Sequence, residues 1–115
     1  MCDLWLHVKI GNCDLCLEAA HIKWHQAGGP DDVDNGLALC TLHHKFFDRG
    51  AIGISMDYRI LISQDVYGNK GLTEWLLDFH GQSMNMAQSQ EFYPKKEYLL
   101  WHYKDVFRRP ERQFK

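Results

Sequence analysis

The sequence predicts a small α+β domain, and three observations support this fold class. Two short apolar runs flank a loop rich in turn-forming residues, which indicates an antiparallel hairpin. A helix-forming segment follows the second run directly. One pair of potential metal ligands lies just before the first run, and another lies where the second run ends. Because 115 residues with 45% hydrophobic content can enclose one packed core, we expect a single domain over residues 1–115.

The hairpin and its helix form the first part of that domain. Residues 17–22 suit a buried strand, and residues 26–36 (QAGGPDDVDNG) are dense in turn-formers and must be loop. Residues 37–40 predict the returning strand. Thr41 is expected to cap a helix that ends at Gly50. The predicted order is strand, loop, strand, helix.

Four further segments complete the predicted fold. Residues 51–54 and 59–63 alternate in the way that a small second hairpin requires. Residues 72–80 and 97–107 each carry apolar residues on one helical face, which predicts two helices that pack on the core. We therefore expect a core over about residues 13–54 and a helical C-terminal extension over about residues 70–110.

Two pairs of metal-binding residue types lie at the open end of the predicted hairpin. Cys13 and Cys16 form a CxxC before the first strand, and Cys40 and His43 form a CxxH after the second. Antiparallel pairing brings these ends together, and three cysteines with one histidine suit a structural zinc ion. Two alternatives stay open: the CxxC cysteines could be small buried apolar residues, or Cys2 could replace one of them.

Four further polar residues of the predicted hairpin and helix are candidates for catalysis and for binding a metal ion. His21 ends the first strand, Asn35 ends the loop and His44 follows the predicted zinc ligand His43 on the helix. One imidazole can take a proton from water near neutral pH, and another can hold a divalent ion against a phosphate. Asp48 lies one helical turn after His44, so the two side chains can share one ion.

Charge and composition limit the function classes. The net charge of -2 argues mildly against a nucleic-acid binder, but basic residues concentrate from residue 95 onward and acidic ones earlier. The N-terminus lacks the layout of a secretory signal, and no apolar run is long enough to cross a bilayer. We expect a cytoplasmic, reducing location, no membrane partner, and thiols free to bind metal.

The segment LEAAHIKWHQAGGPDDVDNGLALCTLHHKFFDRGAI resembles the core of HNH endonucleases, and the three signature positions match His21, Asn35 and His44. The C-terminal part, with GNKGLTEWLLDFHG and YPKKEYLLWHYKDVF, is similar to the HNH domain at the end of modification-dependent (type IV) restriction endonucleases, including those directed at phosphorothioated DNA. The resemblance implies a ββα-metal core stapled by a zinc knuckle.

The resemblance also implies a reaction, which is hydrolysis of DNA phosphodiesters with a single divalent ion such as Mg²⁺ or Mn²⁺. His21 would be the base, His44 a ligand of the catalytic ion, and Asn35 the residue that fixes the loop so that His21 points at the water. Many HNH enzymes place an acidic ligand directly before the base, where this chain has Ala20. Asp48 is the expected replacement.

DNA is the expected partner, a domain that reads the DNA modification would lie outside this chain, and a homodimer is left open. The competing function is a non-catalytic zinc-knuckle module that binds DNA or a protein, since such a module needs only the four zinc ligands. A cysteine–histidine hydrolase is a poor third option, because zinc would occupy the thiolates that it requires.

Overall fold

The computed structural model describes residues 8–10, 13–15, 17–69, 71–84 and 93–113, with side chains from residue 18 onward except 74 and 75. In chain order its elements are β1 (Val8–Ile10), β2 (Cys13–Leu15), β3 (Leu17–His21), β4 (Gly36–Cys40), α1 (Thr41–Asp48), β5 (Ile52–Ile54), β6 (Ile60–Ile62), α2 (Gly71–Trp75) and α3 (Lys96–Asp105). Within the described ranges the strands pair as three antiparallel hairpins, β1 with β2, β3 with β4 and β5 with β6.

The β3–β4 hairpin and α1 confirm the predicted strand, loop, strand, helix order. Leu17 pairs with Cys40 at the open end and His21 pairs with Gly36 at the loop end. One face of this hairpin contributes Ala20, together with Leu37 and Leu39, to the buried core. Because β4 passes directly into α1, the helix folds back over that face and its own side chains reach the hairpin.

The prediction that Thr41 caps α1 is wrong. The N-cap is Cys40, which keeps the extended backbone of β4 and whose Sγ accepts a hydrogen bond from the amide of His43. The other end agrees with the prediction: Gly50 follows the helix with φ 84. A Cβ at Gly50 would lie 2.3 Å from the carbonyl oxygen of Val106, so both the conformation and the close approach require glycine.

The second hairpin, β5–β6, is confirmed, and α3 covers most of the helix predicted over residues 97–107. The single helix predicted over residues 72–80 is wrong. Helix α2 ends at Trp75, and after Leu76 the chain continues as a 3₁₀ turn over Leu77–Phe79. The break lets His80 accept a hydrogen bond from the amide of Ile62, which a periodic pattern cannot reveal.

The β1–β2 hairpin was not predicted. Ile10 pairs with Cys13, and the two residues between them in the sequence are Gly11 and Asn12, a pair often found in two-residue hairpin turns. Cys13 therefore lies on a strand of its own and not in an irregular knuckle before β3. The side chain of Cys13 and all of Cys2 and Cys16 lie outside the described residues.

Hairpins β3–β4 and β5–β6 share one hydrophobic core with helices α1, α2 and α3. Its buried side chains include Ile22, Leu39, Phe47, Ile62, Leu76 and Leu99, and Leu72 of α2 packs against them. In the part of the chain that the structure describes, no helix is both long and apolar enough to cross a bilayer.

His102 connects α3 to the end of α1 from within the core. Its ring stacks on Phe47 with centroids 3.8 Å apart, and its Nε2–H donates to the carbonyl oxygen of Phe47 at 2.8 Å. Nδ1 is buried without a hydrogen-bond partner among the described residues. Burial lowers the pKa of His102 from 6.5 to about 4, and the hydrogen bond to Phe47 opposes this only in part. The folded protein therefore holds this ring neutral.

Because the ring of His102 stays neutral in the folded protein, stability should depend on pH in the range where a free histidine takes up a proton. The pKa of His102 is depressed in the folded state. The contribution of the neutral ring to the free energy of unfolding is therefore complete above pH 6.5 and is lost as the pH falls from 6.5 through about 4. The shift corresponds to on the order of 3 kcal/mol. His102→Gln retains a donor for Phe47 but does not titrate, so urea unfolding across this range should show a shallower acid slope in the variant. Equal slopes in the two proteins would contradict the assignment.

Candidate functional site

His44 lies between two carboxylates on the exposed side of α1. Its Nδ1 lies 2.7 Å from Oε1 of Glu18 on β3, and its Nε2 lies 3.1 Å from Oδ2 of Asp48. The second oxygen of Glu18 accepts a hydrogen bond from the hydroxyl of Thr41 at 3.2 Å. The hydrogen bond from His44 is the main reason that the pKa of Glu18 lies below its ordinary value.

Burial raises the pKa of the Asp48 carboxyl. His44 acts against this rise, Glu18 adds to it, and His21 acts against it as well. Glu18, His44 and Asp48 thus form one contact network where α1 crosses the hairpin. His21 lies at the loop end of the same hairpin, where it pairs with Gly36.

His21 has a carboxylate partner of its own. Its Nε2 lies 2.6 Å from Oδ1 of Asp31, which belongs to the loop between β3 and β4. This hydrogen bond is the main reason that the pKa of Asp31 lies below its ordinary value. When Nε2 donates to Asp31, Nδ1 is the nitrogen that can accept a proton. The ring stays partly exposed, so a substrate or water can reach it.

Asn35 is buried and holds the loop that follows His21. Its Oδ1 accepts from the amide of Lys23 at 2.8 Å, and its Nδ2 donates to the carbonyl oxygens of Lys23 at 3.0 Å and Pro30 at 2.8 Å. Its own carbonyl accepts from the amide of Ile22 at 3.0 Å. With 1% of its surface exposed, Asn35 acts on the loop backbone and cannot contact a substrate.

His44 and Asp48 fit a small divalent cation. Two neighbouring ligands about 2.1 Å from an octahedral ion stand about 3.0 Å apart, close to the separation of Nε2 and Oδ2. Burial raises the pKa of Asp48, and a bound cation would act in the opposite direction. Among the described residues, no group of three or more histidine, cysteine or acidic side chains converges on one point. The remaining ligands would be water or substrate oxygens.

Cys40 and His43 fit half of a zinc site. Sγ of Cys40 lies 3.0 Å from Nδ1 of His43, and both side chains are buried at the start of α1. Leu17, the residue paired with Cys40, follows Cys16 directly in the sequence. The other half, Cys13 and Cys16, lies outside the described side chains, so the zinc prediction stays a prediction.

Sequence reasoning missed two acidic residues of this site, Glu18 and Asp31. Glu18 could have been found from the register, because it lies opposite Leu39 and the helix that starts at Thr41 folds back over it. No comparable signal marks Asp31, since the loop holds several aspartates and only the folded loop shows which one faces His21.

The fold and this site define a class of protein. Residues 2–55 match the family model described as HNH endonuclease, a span that contains His21, Asn35, His44 and Asp48. This part of the chain is therefore similar to HNH endonucleases. No curated protein matches the chain in sequence.

The solved structures include a relative in fold. The "Modification dependent TagI restriction endonuclease" superposes with a TM-score of 0.62 at 19% sequence identity, over 88% of this chain. At this identity the match shows a common fold, and it extends beyond residue 55 into the helical C-terminal part. The chain spans 31% of the length of that enzyme.

Proposed function

We propose that this chain is a DNA endonuclease domain that hydrolyses phosphodiester bonds with a single divalent cation. The observation that carries the proposal is the contact of His44 with Asp48 on the helix that packs over the hairpin of His21, within the segment that matches the HNH endonuclease model. A base and a pair of cation ligands supply two of the groups that metal-assisted phosphodiester hydrolysis uses. The match of residues 2–55 to the HNH endonuclease model supports the same reaction class.

His21 would remove the proton from the attacking water through Nδ1, while Asp31 holds Nε2 and stabilises the positive charge that forms on the ring. His44 and Asp48 would hold the cation, which when bound supplies positive charge to the phosphate and the departing 3′ oxygen. Asn35 would keep the loop in the shape that places Asp31 beside His21. The expected products carry a 5′ phosphate and a 3′ hydroxyl.

A structural zinc ion held by Cys13, Cys16, Cys40 and His43 is the second part of the proposal. The short distance between Cys40 and His43 supports it, as does the pairing of Leu17 with Cys40. Such a site would fix the start of α1 against the hairpin, and α1 carries both His44 and Asp48. The zinc would thereby be structural, and the chemistry would remain with the exposed side of the helix.

We further propose that the chain works in a restriction system with a modification-reading domain outside its 115 residues. The relative in fold is named for modification dependence, and this chain corresponds to only part of it.

Incubation of supercoiled plasmid with the purified protein and Mg²⁺, Mn²⁺, Ni²⁺ or Co²⁺ tests the nuclease proposal. We expect nicking with at least one of these ions, none in excess chelator, and none with His44→Ala. A folded, zinc-loaded protein that binds DNA but cuts with no ion would overturn the proposal and support the non-catalytic zinc-knuckle module.

Asp48→Asn should raise the cation concentration for half-maximal nicking by about tenfold or more, because one charged ligand is lost. Zinc content should not change. The exposed Asp78 offers a matched control, and Asp78→Asn should titrate like the wild type. The competing reading is that Asp48 organises the Arg49–Gly50 turn, whose amides already bind carbonyls of Lys45 and Phe47. A variant with reduced thermal stability and an unchanged metal titration would make Asp48 structural.

A further inference from the structure

We propose that Glu18 is a positioning residue that selects which ring nitrogen of His44 binds the catalytic cation. This inference rests on the proposed nuclease function and assigns a role to a carboxylate at a different position from the acidic ligand of many HNH enzymes. Glu18 would accept the Nδ1–H of His44 and so present the lone pair of Nε2 to the cation beside Asp48. Glu18 itself would not bind the ion.

The two contacts of His44 differ in the way that this role requires. A neutral imidazole carries one N–H, which the shorter contact, 2.7 Å to Glu18, places on Nδ1. The longer contact, 3.1 Å from Nε2 to Asp48, matches two ligands of one ion better than it matches a charge-assisted hydrogen bond. A metal-bound histidine usually donates its second N–H to a carboxylate or carbonyl, which fixes the ring and its tautomer.

Glu18 is fixed on the far side of the ring from the proposed cation. Its carboxylate touches Nδ1, and the hydroxyl of Thr41 holds its other oxygen, so both oxygens of Glu18 are already bonded. The finding that no three ligand side chains converge among the described residues agrees with this arrangement. Ala20 is 2% exposed and faces the core, so an acid at its position would be buried. Glu18 therefore acts through His44.

The tautomer of His44 in the metal-free protein gives a test that does not depend on activity. Nitrogen-15 NMR of the histidine rings at alkaline pH should show His44 with its proton on Nδ1. In Glu18→Ala the proton should shift in part to Nε2, where Asp48 is then the only carboxylate in contact among the described residues. In Glu18→Gln the amide oxygen can still accept, and Nδ1 should retain the proton. An unchanged tautomer in Glu18→Ala would overturn the inference.

Metal affinity gives the second test, with Mn²⁺ as the probe and calorimetry as the readout. Glu18→Ala should weaken Mn²⁺ binding by about 10- to 100-fold, the usual effect of removing such a partner. Glu18→Gln should recover part of that loss. Glu97→Ala, which removes an exposed acid on α3, should bind Mn²⁺ like the wild type. Wild-type affinity in a folded Glu18→Ala would also overturn the inference.

The two proposals fail in different ways. If the wild type neither binds Mn²⁺ nor nicks DNA, the proposed function is wrong and this inference falls with it. If the wild type binds and nicks, and His44→Ala does neither, but Glu18→Ala matches the wild type, only the role of Glu18 is wrong. A direct ligand role for Glu18 would appear as loss of binding in Glu18→Gln as severe as in Glu18→Ala, and it would also overturn the positioning role.

Discussion

His21→Ala is expected to slow DNA nicking by about a hundredfold to ten-thousandfold, the usual cost of losing a general base. The fold should survive, because the ring is partly exposed and its described contacts are a hydrogen bond to Asp31 and an edge contact with the ring of His25. Initial nicking rates at saturating divalent metal measure the effect. Thermal unfolding and zinc content, both expected to match the wild type, show that the loss is chemical.

His25 provides a matched control. Its ring centroid lies 6.4 Å from that of His21, and its side chain is exposed at the start of the same loop. His25→Ala should retain nicking within a few-fold of the wild type. If His25→Ala loses activity and His21→Ala does not, the base has been assigned to the wrong histidine. Loss in both variants with a changed fold would show that the loop conformation, and not one ring, is responsible.

The sequence predicted the β3–β4 hairpin, α1 and the β5–β6 hairpin because each depends on local signals. Residues 17–22 form a short apolar run that suits a buried strand, and the loop of residues 26–36 is dense in turn-formers. Gly50 marked the end of α1 for a physical reason that the structure shows, its positive φ. Local chemistry was sufficient at these positions.

The errors arose where tertiary contacts override local preference. Thr41 is a good capping residue, but Cys40 at the end of β4 takes the cap position, so the helix starts one residue earlier than a Thr41 cap would allow. The hydroxyl of Thr41 donates to Glu18 instead. The segment around Leu76 has a helical pattern, yet the chain breaks there and brings His80 to Ile62. Neither partner is a sequence neighbour, so no window of the sequence contains the cause.

The candidate site, too, could be predicted from the sequence only in part, because some of its contacts join residues that are distant in the sequence. His21, Asn35, His44 and Asp48 could be proposed from spacing and from the resemblance, but their roles remain proposals. The carboxylates that hold the two imidazoles could not be read in the same way, because Glu18 and Asp31 come from different elements than the helix. Their assignment depends on hydrogen-bond geometry at a few ångströms, which only folding of the loop and the helix establishes.

Cys40→Ser is expected to remove the zinc ion and most of the folded protein. Structural zinc in small domains contributes on the order of 10 kcal/mol, which approaches or exceeds the whole stability of a typical domain. We expect about one zinc per wild-type molecule, as one four-ligand site would hold. Elemental analysis measures the zinc, and circular dichroism measures the fold. The thiol of Cys40 forms no disulfide among the described residues.

The competing interpretation makes Cys40 a small buried residue of the core, since it is only 4% exposed. A buried serine in its place would then cost about 1–3 kcal/mol and would not affect metal content. Ala38→Ser on the same strand controls for the added hydroxyl. A strong chelator separates the two cases further: it should unfold the wild type and Ala38→Ser if zinc holds the hairpin to α1, and it should leave both folded if Cys40 merely packs. Folded, active, zinc-free wild type would exclude the zinc site, and α1 would then depend on its core contacts and on His102 alone.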